Sequence, residues 1–141
     1  MPKFLIDASS LFKLLSAPPE RVENILENSS ITDLTIFEMG NVLWKRKDSK
    51  IKDISLEKVM AFSEFVANIL SEITTFSIEA IEIPNILAVA IRSKATFYDA
   101  SYIYICTREN LGLISEDSDL RKKARMEKIE VIELEVIFSA K

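Results

Sequence analysis

Short apolar runs alternate along the chain with longer segments that repeat apolar residues at helical spacing. The short runs predict β-strands, and the longer segments predict helices. The predicted strands are "KFLID" (3–7), "ITDL" (31–34), "ITTF" (73–76), "LGLIS" (111–115) and "IEVIEL" (129–134). The predicted helices cover 11–15, 20–28, 35–47, 56–73, 85–93, 98–110 and 118–126. Such alternation indicates an α/β fold, with a parallel sheet covered by helices on both faces.

The length of the chain and its uniform composition predict a single domain over 1–141. A chain of 141 residues falls within the usual size of one domain, and it contains no repeat, linker or low-complexity segment. The apolar run near the N-terminus is too short for a secretory signal. The longest uninterrupted apolar run, "ILAVAI" (86–91), is too short to span a bilayer. We therefore expect a cytoplasmic protein with no membrane partner.

Composition excludes several kinds of catalytic site. The chain has no histidine, which removes Ser-His-Asp catalysis, Cys-His catalysis and histidine-ligated zinc. Its one cysteine, Cys106, has no second cysteine or histidine to partner it and is expected to be a buried structural thiol. The net charge of −4 argues against bulk attraction to nucleic acid but not against local basic patches. Chemistry here must use carboxylates, hydroxyls, lysine, water or metal.

Four acidic residues occupy positions that a parallel sheet brings toward one edge. Asp7 closes the first predicted strand, and Asp117 follows the strand at 111–115. Glu38 lies in the first turn of the helix after the second strand, and Asp99 opens the helix before "LGLIS". Strand C-termini and the following helix N-termini share one edge of such a sheet, so topology alone directs three acids there. Asp99 is less constrained, because a helix rather than a strand precedes it.

Each of these acids also has a purely structural interpretation. Thr35–Glu38 fits a T-x-x-E capping box, and Thr96–Asp99 fits a T-x-x-D analogue of it. Asp7 and Asp117 are suitable N-caps for the helices that follow them. Caps have no need to converge, however, and converging carboxylates repel one another unless a cation keeps them ionised. Mg²⁺ and Mn²⁺ prefer oxygen ligands and suit phosphodiester hydrolysis, so convergence predicts a metal-dependent phosphodiesterase.

Four segments resemble, in order and spacing, the motifs of the PIN domain, and specifically of its VapC-type toxins. They are "FLIDASSLFKLL" at the N-terminus, "EMGNVL" (38–43), "YDASY" (98–102) and "ISEDSDL" (114–120). The resemblance extends over essentially the whole chain. It implies a three-layer α/β/α fold with a mostly parallel central sheet of about five strands.

The resemblance also implies a function and assigns site residues. Proteins of this family are Mg²⁺- or Mn²⁺-dependent ribonucleases, many of them toxins neutralised by a VapB-type antitoxin and commonly dimeric. Carried over by position, the catalytic and metal-binding residues are Asp7, Glu38, Asp99 and Asp117. The residues expected to orient those acids or a water molecule are Ser9, Asn41 and Ser115. The implied activity is that of an endoribonuclease acting on single-stranded RNA.

Other charged and aromatic residues each have a functional and a structural interpretation. Glu116 and Asp119 either support or replace Asp117, or are ordinary acids at a helix start. Basic residues after the Glu38 helix and after Asp117 either bind RNA phosphates or form a solvated face. The candidates for RNA contact are Lys45, Arg46 and Arg121, with Lys50 and Lys52 nearby. The tyrosines at 98, 102 and 104 fit core or interface packing better than base stacking, and the apolar residues at 136–138 fit either the core or a second subunit.

Other functions compete with the toxin nuclease. A non-catalytic adaptor for RNA or protein is one alternative, although the retention of all four motif acids argues against it. A stand-alone RNA-processing nuclease is the alternative to a toxin. Phosphoreceiver domains and aspartyl phosphatases require other acid patterns after the first strand than the "DASS" present here.

Overall fold

A computed structural model describes residues 1–48 and 54–135 of the chain. Lys50 and Lys52, and the apolar residues at 136–138, lie outside the described residues. The strands are β1 (Phe4–Ile6), β2 (Ser29–Thr32), β3 (Thr74–Phe76), β4 (Gly112–Ile114) and β5 (Val131–Ile132). The helices are α1 (Ala8–Leu15), α2 (Pro19–Glu27), α3 (Asp33–Asp48), α4 (Leu56–Glu72), α5 (Ile83–Ser93), α6 (Phe97–Glu109) and α7 (Ser118–Met126). A single 3₁₀ turn, Ala80–Glu82, precedes α5.

The strands form one parallel sheet in the order β3-β2-β1-β4-β5. The chain moves outward from β1 through β2 to β3, then crosses back to pair β4 with the other side of β1. Ile6 lies opposite Ile114 at the end of this central pair. In open parallel sheets, ligands bind beyond the carboxyl ends of the strands where the order reverses. Here that point lies between β1 and β4.

Two separate hydrophobic cores show that helices cover both faces of the sheet. Leu5 and Leu113 point into a core formed with α5, α6 and α7, whereas Ile6 and Ile114 point into a core formed with α1 to α4. Neighbouring residues of one strand face opposite sides, so each short central strand contributes to both cores. The predicted α/β/α architecture with a parallel five-strand sheet is therefore confirmed.

Helix α1 begins at Ala8, three residues before its predicted start, and β2 lies two residues earlier than the sequence pattern suggested. Its first half is Ser29 and Ser30, both buried. The Ser29 hydroxyl donates to the Ile25 carbonyl at 2.6 Å, and the Ser30 hydroxyl donates to the Phe4 carbonyl at 2.8 Å. These bonds allow polar residues to occupy a buried strand. Hydrophobicity alone could not identify them, so the predicted strand began too late.

Helix α4 has the predicted extent but is less buried than its apolar residues suggested. Val66 is buried, and Phe62 and Leu70 pack at the edge of the second core. Phe65, predicted on the same face, remains 45% exposed. Within the described ranges, no helix is long and apolar enough to cross a membrane.

The two glycines of the chain predict opposite effects of substitution by alanine. Gly40 lies within α3, and a Cβ there would have no heavy atom within 4 Å, so Gly40→Ala should raise the free energy of unfolding by about 0.5–1 kcal/mol. A Cβ at Gly112 would lie 3.2 Å from the Phe4 ring and 3.3 Å from the Glu130 carbonyl oxygen. Gly112→Ala should therefore lower that free energy by about 1–3 kcal/mol. Urea denaturation measures the free energy of unfolding of both variants. An equal change in the two variants would contradict the close packing around Gly112 in β4.

Candidate metal centre

All four predicted acids line one cavity at the carboxyl edge of the sheet. The cavity has a volume of about 240 Å³ and is open to solvent. Its walls come from the start of α1, from one side of α3, from the first half of α6 and from the start of α7. The lining residues are Asp7, Ala8, Ser9, Glu38, Asn41, Val42, Lys45, Asp99, Tyr102, Asp117 and Leu120. The sheet topology thus brings together carboxylates that are up to 110 positions apart in sequence.

Asp7 is the most buried of these acids, with 6% of its surface exposed. It is the N-cap of α1, and its Oδ1 accepts a hydrogen bond from the Ser10 amide at 3.0 Å. Its Oδ2 accepts a bond from the Ser115 hydroxyl at 2.6 Å. The capping interpretation is therefore confirmed for Asp7, and the same residue lines the cavity. Both carboxylate oxygens are held in fixed directions by donors on two different elements.

Ser115 connects Asp7 to Asp117. Its hydroxyl donates to Asp7 and accepts a bond from the Asp117 amide at 3.1 Å. Asp117 is the N-cap of α7, and its Oδ1 accepts bonds from the Asp119 and Leu120 amides at 2.9 and 3.2 Å. One fully buried hydroxyl thereby fixes the side chain of one acid and the backbone of another.

Glu38 is half-buried and is held by a residue on another helix. The Tyr102 hydroxyl donates to Glu38 Oε1 at 2.7 Å. The expected capping box between Thr35 and Glu38 is wrong, because α3 begins at Asp33 and places Thr35 inside the helix. The reciprocal capping bonds instead join Thr32 and Thr35, and each side-chain hydroxyl accepts from the other residue's amide at 3.2 Å. The Glu38 carboxylate is therefore directed to the cavity rather than to the end of its own helix.

Asp99 lies in the first turn of α6, and its backbone amide is capped by the Thr96 hydroxyl at 3.1 Å. The expected Thr96 cap is therefore present. The Asp99 carboxylate has no hydrogen bond to another side chain or amide in the described part of the chain. The Asp99 carboxylate is repelled by the charges of Asp7, Asp117 and Asp119, and the charge of Lys123 partly offsets this repulsion.

Burial and then the charge of neighbouring acids raise the pKa values of Asp7, Glu38 and Asp99. Burial is the largest cause of the raised pKa of Asp7, and the hydrogen bonds from Ser10 and Ser115 oppose it. Burial also raises the pKa of Glu38, opposed by Tyr102, and the charges of Asp7 and Asp99 raise it further. The pKa of Asp99 is raised first by burial and then by Asp117. Crowded carboxylates of this kind favour either a proton or a cation.

The donor set suits a hard divalent cation. Carboxylate oxygens are the ligands that Mg²⁺ and Mn²⁺ prefer, and the cavity offers four such side chains with no nitrogen or sulfur ligand. Among the residues that the structure describes, no group of three or more acids is placed to hold a metal ion. Mg²⁺ retains several water molecules in protein sites, so one or two direct carboxylate ligands are sufficient. The residues present therefore fit the ion chemically.

The other predicted site residues are divided between this cavity and the rest of the surface. Ser9, Asn41 and Lys45 line the cavity. Arg46 lies on another side of α3, where its guanidinium stacks 4.7 Å from the centre of the Phe12 ring. Arg121 donates to the Ser115 carbonyl at 3.0 Å and lies 3.4 Å from the Glu133 carboxylate. RNA contact by these basic residues stays a prediction.

Glu116 and Asp119 have different surroundings. Glu116 points toward the end of β5, where its Oε1 accepts a bond from the Leu134 amide at 3.0 Å, and it is 3.7 Å from Lys13. Asp119 is exposed and paired with Lys123 at 2.7 Å. Neither acid lines the cavity. Cys106 is buried as expected, and burial raises the pKa of its thiol to about 12.

Sequence reasoning missed the side chains that hold the acids in place. Tyr102, Thr35 and Ser10 are all buried and polar. The helical spacing of the tyrosines predicts core or interface packing for Tyr102. Its position one helical turn after Asp99 was the available signal, since residues three apart share a helix face. Ser10 was hidden in the "DASS" run, although its hydroxyl accepts a bond from the Glu116 amide at 3.0 Å.

Known proteins are similar to this chain in sequence and in fold. The sequence profile of the PIN domain matches residues 4–126. Exonuclease VapC9 of Pyrobaculum aerophilum is 31% identical over 123 residues, which cover 87% of this chain and 86% of that protein. The crystal structure of PAE2754 from Pyrobaculum aerophilum matches 96% of this chain and 93% of its own, with a TM-score of 0.78 and 29% identity. A toxin–antitoxin complex from Klebsiella pneumoniae matches at a TM-score of 0.56 and 18% identity, covering 82% of this chain and 88% of that one.

The crowding of carboxylates predicts that Asp99→Asn stabilises the metal-free protein. An acid whose pKa is raised in the folded protein lowers the free energy of unfolding when the pH is above that raised pKa. The loss disappears when the pH falls below the pKa of the same acid in the unfolded chain, which is near 4. Asp99→Asn should raise the melting temperature by about 2–4 °C at pH 7.5 in EDTA, with a smaller gain at pH 4.5. Calorimetry at both pH values measures this.

The matched control for this substitution is Glu130→Gln, which removes an exposed acid outside the cavity. Glu130→Gln should leave the difference between the melting temperatures at the two pH values as it is in the natural protein. A lower melting temperature for Asp99→Asn at pH 7.5 would show that Asp99 stabilises the fold, contrary to this electrostatic interpretation.

Proposed function

The chain belongs to the PIN-domain family, in its VapC-type branch, and from that premise we propose that it is a Mg²⁺- or Mn²⁺-dependent endoribonuclease. The observation that carries the proposal is the meeting of Asp7, Glu38, Asp99 and Asp117 in one solvent-open cavity. Capping alone would explain Asp7 and Asp117 but not why Glu38 and Asp99 face them. The proposed substrate is single-stranded RNA in the cytoplasm.

The proposed metal ligands are these four acids. Asp7 and Asp99 would be principal ligands, and Glu38 and Asp117 would bind directly or through water. When bound, the divalent ion supplies a water molecule of lowered pKa and neutralises charge on the phosphate. No histidine is present to act as a general base, and this chemistry requires none.

The residues around the acids have separate proposed tasks. Ser10 and Ser115 keep the two oxygens of Asp7 in fixed directions. Ser9 and Asn41 line the cavity and would orient a carboxylate or a water molecule by hydrogen bonding. Lys45 lines the same cavity and would bind a phosphate of the RNA backbone.

A second cavity supports single-stranded rather than double-stranded RNA as the substrate. Its volume is about 230 Å³, and its lining includes Phe37, Tyr98, Phe97 and Asp33. Phe37 and Tyr98 are 77% and 65% exposed, and each immediately precedes an acid of the site. Unstacked bases bind to exposed aromatic faces, whereas bases within a duplex are not available to them.

A second candidate activity is exonucleolytic cleavage of RNA. It is favoured by the name of the relative from Pyrobaculum aerophilum, which is called an exonuclease. The acid site itself suits either mode, because both hydrolyse the same bond. The difference lies in whether a free end must be bound, and a substrate without ends decides between the two modes.

We also infer an antitoxin of VapB type as a protein partner. An apolar groove of about 470 Å³ runs between α2 and α4, on a face of the protein other than the acid cavity. Its lining includes Leu15, Val22, Leu26, Phe65 and Ile69. Apolar grooves of this kind accept the apolar side of a partner segment. A homodimer is a further proposal, supported by the exposed Trp44, Ile83, Leu87 and Ile91.

The nuclease proposal predicts metal-dependent cleavage that requires Asp99. Purified protein should cleave a linear single-stranded RNA in Mn²⁺ or Mg²⁺, and EDTA should abolish cleavage. Asp99→Asn should lower the rate by at least about 100-fold, since it removes a ligand charge at the site. Cleavage of a circular RNA of the same sequence would establish endonuclease action. Cleavage of the linear RNA alone would establish an exonuclease, and equal activity of Asp99→Asn would reject the assigned site.

The geometry around α3 predicts unequal roles for two adjacent basic residues. Lys45→Ala should weaken RNA binding and reduce the slope of log K against log salt by about 0.7, the value for one phosphate contact on a single strand. Arg46→Ala, whose side chain covers the Phe12 ring, should have a smaller effect on that slope. Fluorescence anisotropy in EDTA at several salt concentrations measures both. A larger effect for Arg46→Ala would place the RNA on the other side of α3.

A further inference from the structure

We propose that Tyr102 is a positioning residue, which ends a buried chain of three hydroxyl groups and holds the Glu38 carboxylate toward the site. This inference rests on the proposed function and deepens it. The chain begins at Thr32, the last residue of β2, passes through Thr35 in α3 and reaches Tyr102 in α6. It therefore connects the sheet to the two helices that carry Glu38 and Asp99.

The contacts along this chain are short and continuous. Thr32 Oγ1 lies 3.2 Å from Thr35 Oγ1, and Thr35 Oγ1 lies 2.8 Å from the Tyr102 hydroxyl. The Tyr102 hydroxyl lies 2.7 Å from Glu38 Oε1. Thr32, Thr35 and Tyr102 are exposed by 1%, 0% and 3% respectively, so bulk water does not compete for these bonds.

The direction of donation follows from counting hydrogens. An ionised carboxylate only accepts hydrogen bonds, so the single hydroxyl hydrogen of Tyr102 points to Glu38. Thr35 must then donate to the Tyr102 oxygen, and Thr32 must donate to Thr35. The Thr32 and Thr35 amides fill remaining acceptor positions on the two threonine oxygens. All three hydroxyls are thus aligned toward one carboxylate oxygen, and hydrogen bonds aligned in this way strengthen one another.

This arrangement fixes Glu38 without neutralising it. Tyr102 occupies Oε1 with a neutral donor, which leaves Oε2 for a cation or a water molecule. A lysine or arginine in the same place would cancel the charge that a divalent ion requires. Tyr102 also lies one turn after Asp99 on α6, so the bond to Glu38 sets the spacing between the two helices that carry these acids.

The same helix provides a matched control. Tyr104, two residues further along α6, donates its hydroxyl to Glu82 Oε1 at 3.0 Å. Glu82 is also bound by Arg108 and lies outside the acid cavity. Tyr102→Phe and Tyr104→Phe therefore remove the same atom from one helix, in each case from a bond to a glutamate.

The test is Mn²⁺ binding by isothermal titration calorimetry on the full chain, without RNA. Tyr102→Phe should weaken Mn²⁺ binding by about 10–100-fold, the range found when partners of metal ligands are removed. Tyr104→Phe should bind as the natural protein does. Thr35→Val should weaken binding by a smaller factor than Tyr102→Phe, and Thr35→Ser should restore it because the hydroxyl is retained. Circular dichroism melts establish that each variant is folded.

The outcomes separate this inference from the proposed function. Mn²⁺ binding that is equal in Tyr102→Phe and the natural protein would overturn the role of Tyr102 and leave the nuclease intact. A similar loss in Tyr102→Phe and Tyr104→Phe would reveal a general effect on α6 and would also overturn it. Should Tyr102→Phe fail to fold, Thr35→Val compared with Thr35→Ser decides. Absence of Mn²⁺ binding by the natural protein would overturn both proposals.

Discussion

Repulsion among carboxylates at one edge of the sheet is the constraint on which the rest of this structure depends. The order β3-β2-β1-β4-β5 makes β1 central, so Asp7 and Asp117 emerge side by side, and α3 and α6 bring Glu38 and Asp99 to them. The fold stabilises this arrangement in two ways. It buries Asp7 against hydroxyl and amide donors, and it leaves the remaining acids facing an open cavity where water or a cation reaches them.

In the described part of the chain, the ion pairs form away from the four acids of the site, although Lys45 lines the cavity. The lysines and arginines pair with other acids, namely Glu82, Glu109, Glu116, Asp119, Glu127, Glu133 and Glu135. Asp7, Glu38 and Asp117 instead accept hydrogen bonds from Ser115, from Tyr102 and from backbone amides. Neutral donors fix the direction of a carboxylate but leave its charge in place. This division supports the metal-binding role proposed for the four acids, because helix caps alone would not require it.

The sequence was sufficient for the elements and for the acids, but not for what connects them. Strand–helix alternation predicted the parallel sheet, and strand ends predicted the edge at which Asp7, Glu38 and Asp117 meet. Asp99 followed from family motifs rather than from topology, because a helix precedes it. Buried hydroxyls were missed at Ser29, Ser30 and Tyr102, and Thr35 was expected to pair with Glu38 rather than with Thr32. Each is satisfied by a partner distant in sequence or one turn away, and such pairing becomes visible only in three dimensions.

Hydroxyl donors suit the surroundings of these acids better than histidine would. A histidine near these acids would gain a proton and become a competing cation, because neighbouring negative charge favours the imidazolium. Serine, threonine and tyrosine carry no charge at neutral pH, and burial raises the pKa of Tyr102 further, so its hydroxyl keeps the proton that it donates. The hydroxyl groups that donate to the acids therefore keep their protons at neutral pH. Only the carboxylates respond to protons, and they respond in competition with the cation that the cavity is suited to bind.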